Sequence, residues 1–94
     1  MEIEVRNATG RSRYEILVDG QVVGVADYRI YGDVVVMPHT EVVPEMRHRG
    51  LAARLVAHAL DDVRASGRRV DPHCWYVAGF IDSHPEYAEL LAVA

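Results

Sequence analysis

Lysine is missing from this 94-residue chain, and cysteine occurs once, at Cys74. A single thiol allows no intrachain disulfide and excludes a structural zinc site built on several thiolates. All ten basic residues are arginine. The guanidinium fork suits phosphate bidentately, but a GC-rich genome would produce the same usage, so no function is drawn from it. No run reaches the ~20 apolar residues of a membrane span. The opening MEIEVRN has neither the basic nor the apolar region of a leader. The expectation is a soluble cytoplasmic protein with no membrane partner. A net charge of −4 argues against general nucleic-acid binding, because the basic residues are local and the chain as a whole is acidic. With half its residues apolar and 26% charged, the composition is that of an ordinary globular fold, and residues 1–94 read as one small domain without repeats.

Period-two alternation sets out the strands. Ile3 to Asn7 alternates Ile3 and Val5 against Glu2, Glu4 and Arg6. Arg13 to Val18 and Gln21 to Ile30 flank Asp19-Gly20, a pair suited to a type I′ hairpin. Val34 to Val43 is a β-branched fourth strand ended by Pro44. Pro38 within it cannot donate to a ladder and predicts a bulge or an unpaired edge. A helix over Gly50 to Ala65 follows, closed by Ser66-Gly67, then a short fifth strand, Arg68 to Asp71. After Pro72 comes a second helix carrying Val77, Phe80 and Ile81, and Pro85 opens a last helical turn, Glu86 to Leu91. The order is α+β: an antiparallel four-stranded meander, a helix, a parallel fifth strand reached by a right-handed crossover, and a C-terminal helix. The aromatic residues Trp75, Tyr76, Phe80 and Tyr87 read as core packing. His58 reads as solvated and His84 as a cap on the second helix. The unpaired edge of the first strand predicts a monomer or weak dimer.

The turn Pro44 to Arg54, PEMRHRGLAAR, runs against the helix that it introduces. A helix N-terminus carries partial positive charge and free N–H groups, so it favours Asp or Glu. Here it receives Arg47, His48, Arg49 and Arg54, with no acid between Glu45 and Asp61. A bound phosphate would reverse the sign of that penalty, and Gly50 lets backbone approach a ligand closely. In an open sheet of this kind, the carboxyl ends of the parallel fourth and fifth strands form the default ligand crevice.

Arg47 to Ala52 also reads R-x-x-G-x-A, which resembles the coenzyme A pyrophosphate loop, Q/R-x-x-G-x-G/A, of the GNAT acetyltransferase superfamily. It sits between a long strand and an amphipathic helix, as in that family. Together with His39-Thr40-Glu41-Val42, the run Pro72-His73-Cys74-Trp75-Tyr76-Val77, Ile81, His84-Pro85-Glu86-Tyr87 and Leu90, it is similar to a very small, cysteine-containing branch of the superfamily, over residues 14 to 91. The resemblance implies an acetyl-CoA-binding fold. Backbone N–H groups of Arg47, His48, Arg49, Gly50, Leu51 and Ala52 would hold the pyrophosphate, and the pantetheine arm would pair with backbone near Val42 and Val43. Larger members place two helices between their first two strands and further strands at the end, which together shape an acceptor site. This chain has room for neither, so the acceptor side should be open.

Cys74 lies between the fifth strand and a helix, where a helix dipole favours the thiolate. It would accept an acyl group or protonate departing coenzyme A, or else be a small buried hydrophobe. His39 and Glu41, two apart on the fourth strand, share a face if no bulge intervenes, and either would serve as a base; the resemblance favours Glu41. His73 points away from Cys74 in an extended segment, and no metal site is expected. Three readings follow: an acetyltransferase acting on an unknown amine or peptide, a non-catalytic acyl-CoA module, and an interaction domain whose arginines bind an acidic partner.

Overall fold

The computed structural model describes residues 1–92. Five strands form one sheet in the order β1 (Ile3–Ala8), β2 (Arg13–Val18), β3 (Gln21–Tyr31), β4 (Val34–Val42) and β5 (Arg69–Pro72). The first four are antiparallel, and β5 runs parallel to β4. Helix α1 (Leu51–Ala65) links β4 to β5, helix α2 (Trp75–Ser83) follows, and a 3₁₀ segment, Pro85–Leu90, closes the described chain. The α+β order read from the sequence therefore holds, with boundaries moved by a residue or two. The links are as short as the turn chemistry requires: Asp19 and Gly20 both take positive φ, 49° and 84°, the I′ geometry. Only a 3₁₀ turn, Thr9–Arg11, joins β1 to β2. No helix among the described residues is long and apolar enough to cross a membrane.

One face of the sheet holds the core. Helix α1 buries Leu51, Leu55, Val56, Ala59, Leu60 and Val63, the stripe expected of a 3.6-residue period. These residues cluster with Tyr14 and Ile16 of β2, Ala26 and Tyr28 of β3, Val35 and Met37 of β4, and Val77, Phe80 and Ile81 of α2. Full burial of each large aliphatic side chain stabilises the fold by roughly 1.5–3 kcal/mol. Asp61 and Asp62, near the C-terminal end of α1 where the dipole disfavours them, accept hydrogen bonds from Tyr87 Oη at 2.8 Å and Tyr14 Oη at 2.6 Å. His84 Nδ1 donates to Phe80 C=O at 2.8 Å and the ring stacks on Phe80, which is the cap that the sequence predicts.

Trp75 corrects the aromatic reading: it is 84% exposed. It is the first residue of α2, whereas the buried side comprises Val77, Phe80 and Ile81, so period alone misassigned it.

Two irregularities shape the end of the sheet nearest the start of α1. On β3, Gly24 pairs with Ile16 while Val22 pairs with Leu17, leaving Val23 as an extra residue. On β4, the register shifts so that Met37 and Pro38 together face Tyr28, between the pairs Asp27–His39 and Arg29–Val36. This is the bulge predicted at Pro38. Gly24 is essential to the close approach of the strands: a Cβ there would lie 2.9 Å from Ile16 Cγ2 and 3.1 Å from both the Glu41 carbonyl oxygen and Val42 Cγ2. A backbone oxygen yields only if the strand moves, so Gly24→Ala is expected to destabilise by about 1–3 kcal/mol. Urea unfolding would check this, as a lower midpoint at unchanged slope.

Candidate active site

The bulge decides which β4 side chains meet the helices. Val35 and Met37 are buried on the core face, and a strict period of two would add His39 and Glu41 to it. The extra residue reverses the alternation. Thr40, paired with the fully buried Ala26, and Val42, paired with Gly24, now face the helix side. His39 and Glu41 lie together on the opposite, uncovered face, 3.7 Å apart and more than half exposed. They share a face as expected, because the bulge precedes both.

Beyond Met37, strand β4 has no partner on its β5 side. Parallel pairing stops at Met37–Pro72, and the last link is Cys74 N–H donating to Met37 C=O at 3.0 Å. Val43 N–H donates to Val23 of β3, so the alternation of an antiparallel strand turns the N–H and C=O of Val42 and Thr40 the other way, into the gap. The strands therefore splay into a cleft of about 670 Å³.

One end of the cleft is the arginine turn. Pro44–Met46 form a 3₁₀ turn, Arg47 is extended, and His48 and Gly50 take φ of 65° and 76°. Left-handed residues alternating with others make a concave nest of N–H groups. The N-cap Gly50 offers no side-chain bond, the first turn of α1 has no acid, and the first helical bond runs from Arg54 N–H to Gly50 C=O. The N–H groups at this end therefore remain available to an anion. Arg47 Nε donates to Val42 C=O at 3.0 Å, tying the turn to the strand.

The other end holds Cys74, buried at the N-cap of α2. Its Sγ lies 3.7 Å from Thr40 Oγ1. Burial alone pushes the thiol up. Hydrogen bonds from Val77 N–H, the Thr40 hydroxyl, Tyr76 N–H and Thr40 N–H outweigh it and hold the thiol below its ordinary value. Donors aimed at sulfur favour the charged form. His73 is bonded to Asp71 at 3.0 Å rather than to Cys74, as the extended geometry requires.

Of the residues singled out in the sequence, His39, Glu41, Val42, Arg47, His48, Gly50, Leu51, Ala52 and Cys74 line this one cleft, while Val43 and Arg49 do not. Thr40, Met46, Ala53, Trp75 and Tyr76 also line it and were not picked out as site residues. Thr40 carried no signal of its own, since its inward aim depends on the bulge. Trp75 could have been suspected from its position beside Cys74.

Residues 13–90 match the model of the GCN5-related N-acetyl-transferase family. Protein NATD1 of Bos taurus is 38% identical over 60 residues, covering 62% of this chain and 53% of that protein; the chain thus matches about half the length of this curated relative. The solution structure of a GCN5-like protein of Staphylococcus aureus superposes with a TM-score of 0.72 at 16% identity, over 94% of this chain and 86% of that one. N-acetylglutamate synthase of Neisseria gonorrhoeae, in complex with coenzyme A and N-acetyl-glutamate, superposes with a TM-score of 0.58 at 23% identity, over 65% of this chain and 15% of the synthase. At these identities the two structures establish the fold. With 78 consecutive residues matched, the cleft between β4 and β5 belongs to a chain that is a member of the GCN5-related N-acetyltransferase family.

Proposed function

We propose that this protein binds acetyl-CoA in the β4–β5 cleft and transfers the acetyl group to a primary amine through Cys74. The observation that carries this reading is that an N–H-rich, arginine-flanked turn and a thiol held by hydrogen-bond donors stand at opposite ends of one cleft. The dimensions and chemistry of the cleft suit a long anionic thioester. The N–H groups of His48 to Ala52 would hold the pyrophosphate, Val42 N–H and Thr40 C=O, which face the gap, would pair with the pantetheine amides, and Sγ would meet the thioester. Family membership and a structural neighbour solved with coenzyme A support coenzyme A as the ligand.

In the first step the Cys74 thiolate adds to the acetyl carbonyl carbon. The carbon–sulfur bond to coenzyme A breaks, acetyl ends on Sγ, and coenzyme A leaves as a thiolate that takes a proton from water. In the second step a neutral amine attacks the acyl carbon, the Cys74 thiolate departs, and the amide nitrogen releases its remaining extra proton to solvent. His39 and Glu41, on the open face of β4 where its unpaired edge borders the cleft, accept the proton that the incoming ammonium must lose. Acyl transfer through a thiolate splits one difficult substitution into two easier ones.

Intact-protein mass spectrometry after mixing with acetyl-CoA tests this reading. A single acetyl adduct is expected in the wild type and none in Cys74→Ala, with coenzyme A affinity by calorimetry unchanged between the two. A second reading, a binding module without turnover, is favoured by one observation: neither an imidazole nor a carboxylate is bonded to Sγ among the described residues. Coenzyme A binding with no adduct and no acetyl transfer to any amine or peptide would favour that module. No binding at all would sink both.

A further inference from the structure

An acylating cysteine commonly relies on an adjacent base, and here the strand that faces Cys74 brings a hydroxyl instead. The cause is the Pro38 bulge. The core-facing residues of β4 run Val35, Met37, Thr40, Val42, with a step of three at the bulge. With an unbroken step of two, His39 would stand where Thr40 stands. The bulge thus replaces an imidazole beside the thiol by a threonine.

We propose that Thr40 is the positioning residue of Cys74: its hydroxyl, in contact with Sγ, orients the sulfur in the cleft and favours its charged form, with no imidazole partner. This rests on the reading that Cys74 is the reacting group. Sγ has its Thr40 contact at 3.7 Å, and a β-branched side chain on a strand has little χ1 freedom, so the hydroxyl stays where it is aimed.

The charged and titratable groups around Sγ are otherwise engaged or distant in bonding. On β4, His39 and Glu41 point to the far face and meet each other. At the end of β5, Asp71 and His73 bond each other. On α2, Tyr76 contributes its N–H to Sγ while burial raises its phenol. From the turn before α1, Arg47 is bonded to Val42 C=O and His48 lines the cleft. None of these side chains hydrogen-bonds to Sγ among the described residues, so Thr40 and the helix N–H groups set the state of the thiol.

Because Cys74 is the only cysteine, its alkylation by iodoacetamide can be followed by intact mass across pH without ambiguity. Wild type is expected to alkylate with a midpoint below that of a free thiol such as N-acetylcysteine. Thr40→Val keeps the shape and the backbone N–H but removes the hydroxyl. It should raise the midpoint by roughly half to one pH unit, slowing alkylation about three- to tenfold at pH 7, and Thr40→Ser should restore it. Coincident profiles for wild type and Thr40→Val would overturn the proposal, as would failure of serine to restore. The assay uses no coenzyme A, so a shifted profile without an acetyl adduct would remove the transfer reading and leave the role of Thr40 standing, and an adduct with coincident profiles would do the reverse.

Discussion

Replacing Gly50 by glutamate is expected to weaken coenzyme A binding by about thirtyfold or more while leaving the protein folded. A Cβ at Gly50 meets nothing within 4 Å, so the side chain has room, and the remaining structural cost is a non-glycine residue at φ 76°, about 1–2 kcal/mol. The functional cost is electrostatic. Two like unit charges 4 Å apart repel by about 4 kcal/mol at an effective dielectric of 20. Solvent at this exposed turn reduces that to about 2 kcal/mol, or roughly thirtyfold in affinity. Gly50→Asn separates the two effects, because asparagine tolerates left-handed dihedrals without adding charge; it should bind within a few-fold of wild type. Calorimetric titration with coenzyme A, alongside a thermal melt of each variant, makes the measurement. Unchanged affinity in Gly50→Glu would remove the pyrophosphate assignment for the turn.

Glu15 is the other site of large effect. It is the one buried charged residue of the described core, with no exposed surface. It lies on the sheet face opposite the helices, where Arg6, Arg11 and Arg13 reach it at 2.8–2.9 Å. Burial pushes its carboxyl up, but the bonds from Arg13, Arg6 and Arg11 overcome this and bring it to about 2. Glu15→Ala removes the anion and leaves three guanidinium groups facing one another. Loss of one partner from a fully buried ion pair costs ~3–5 kcal/mol; because these arginines are one-third to two-thirds exposed, about 2–3 kcal/mol is expected here. The pH dependence follows from the depressed value. The stabilisation is complete above the unfolded-state value near 4.5 and is lost as pH falls toward 2, because the unfolded chain binds the proton first. Urea midpoints of wild type and Glu15→Ala should therefore differ most at neutral pH and converge at about pH 2. A constant gap down to pH 2 would show that the carboxylate charge is not the source of the stability.

Local patterns in the chain carried much of this architecture. Alternation in Ile3 to Asn7 and Val34 to Val43, the Asp19-Gly20 hairpin, and the helical stripe from Leu51 to Val63 each act within a few residues, so each can be read without knowing what packs against it. The conflict between a helix start and a cluster of arginines is equally local, and it marked one end of the cleft before any fold was known. Position after the fifth strand was enough to single out Cys74.

What surrounds those residues depended on the tertiary structure. A bulge changes the face of every later side chain on its strand. Pro38 announced the irregularity, but only the pairing with β3 showed that its effect was to bring Thr40 to the thiol and turn His39 and Glu41 to the open face. Glu15 was not singled out in the sequence, because the arrival of Arg6 beside it required the cross-strand register. The exposure of Trp75 required the docking angle of α2. The sequence by itself determined the elements and the two chemically loaded stretches, because these are encoded over a turn or a few strand residues. Which groups meet across the cleft was decided by long-range pairing, where a shift of one residue exchanges one face of a strand for the other.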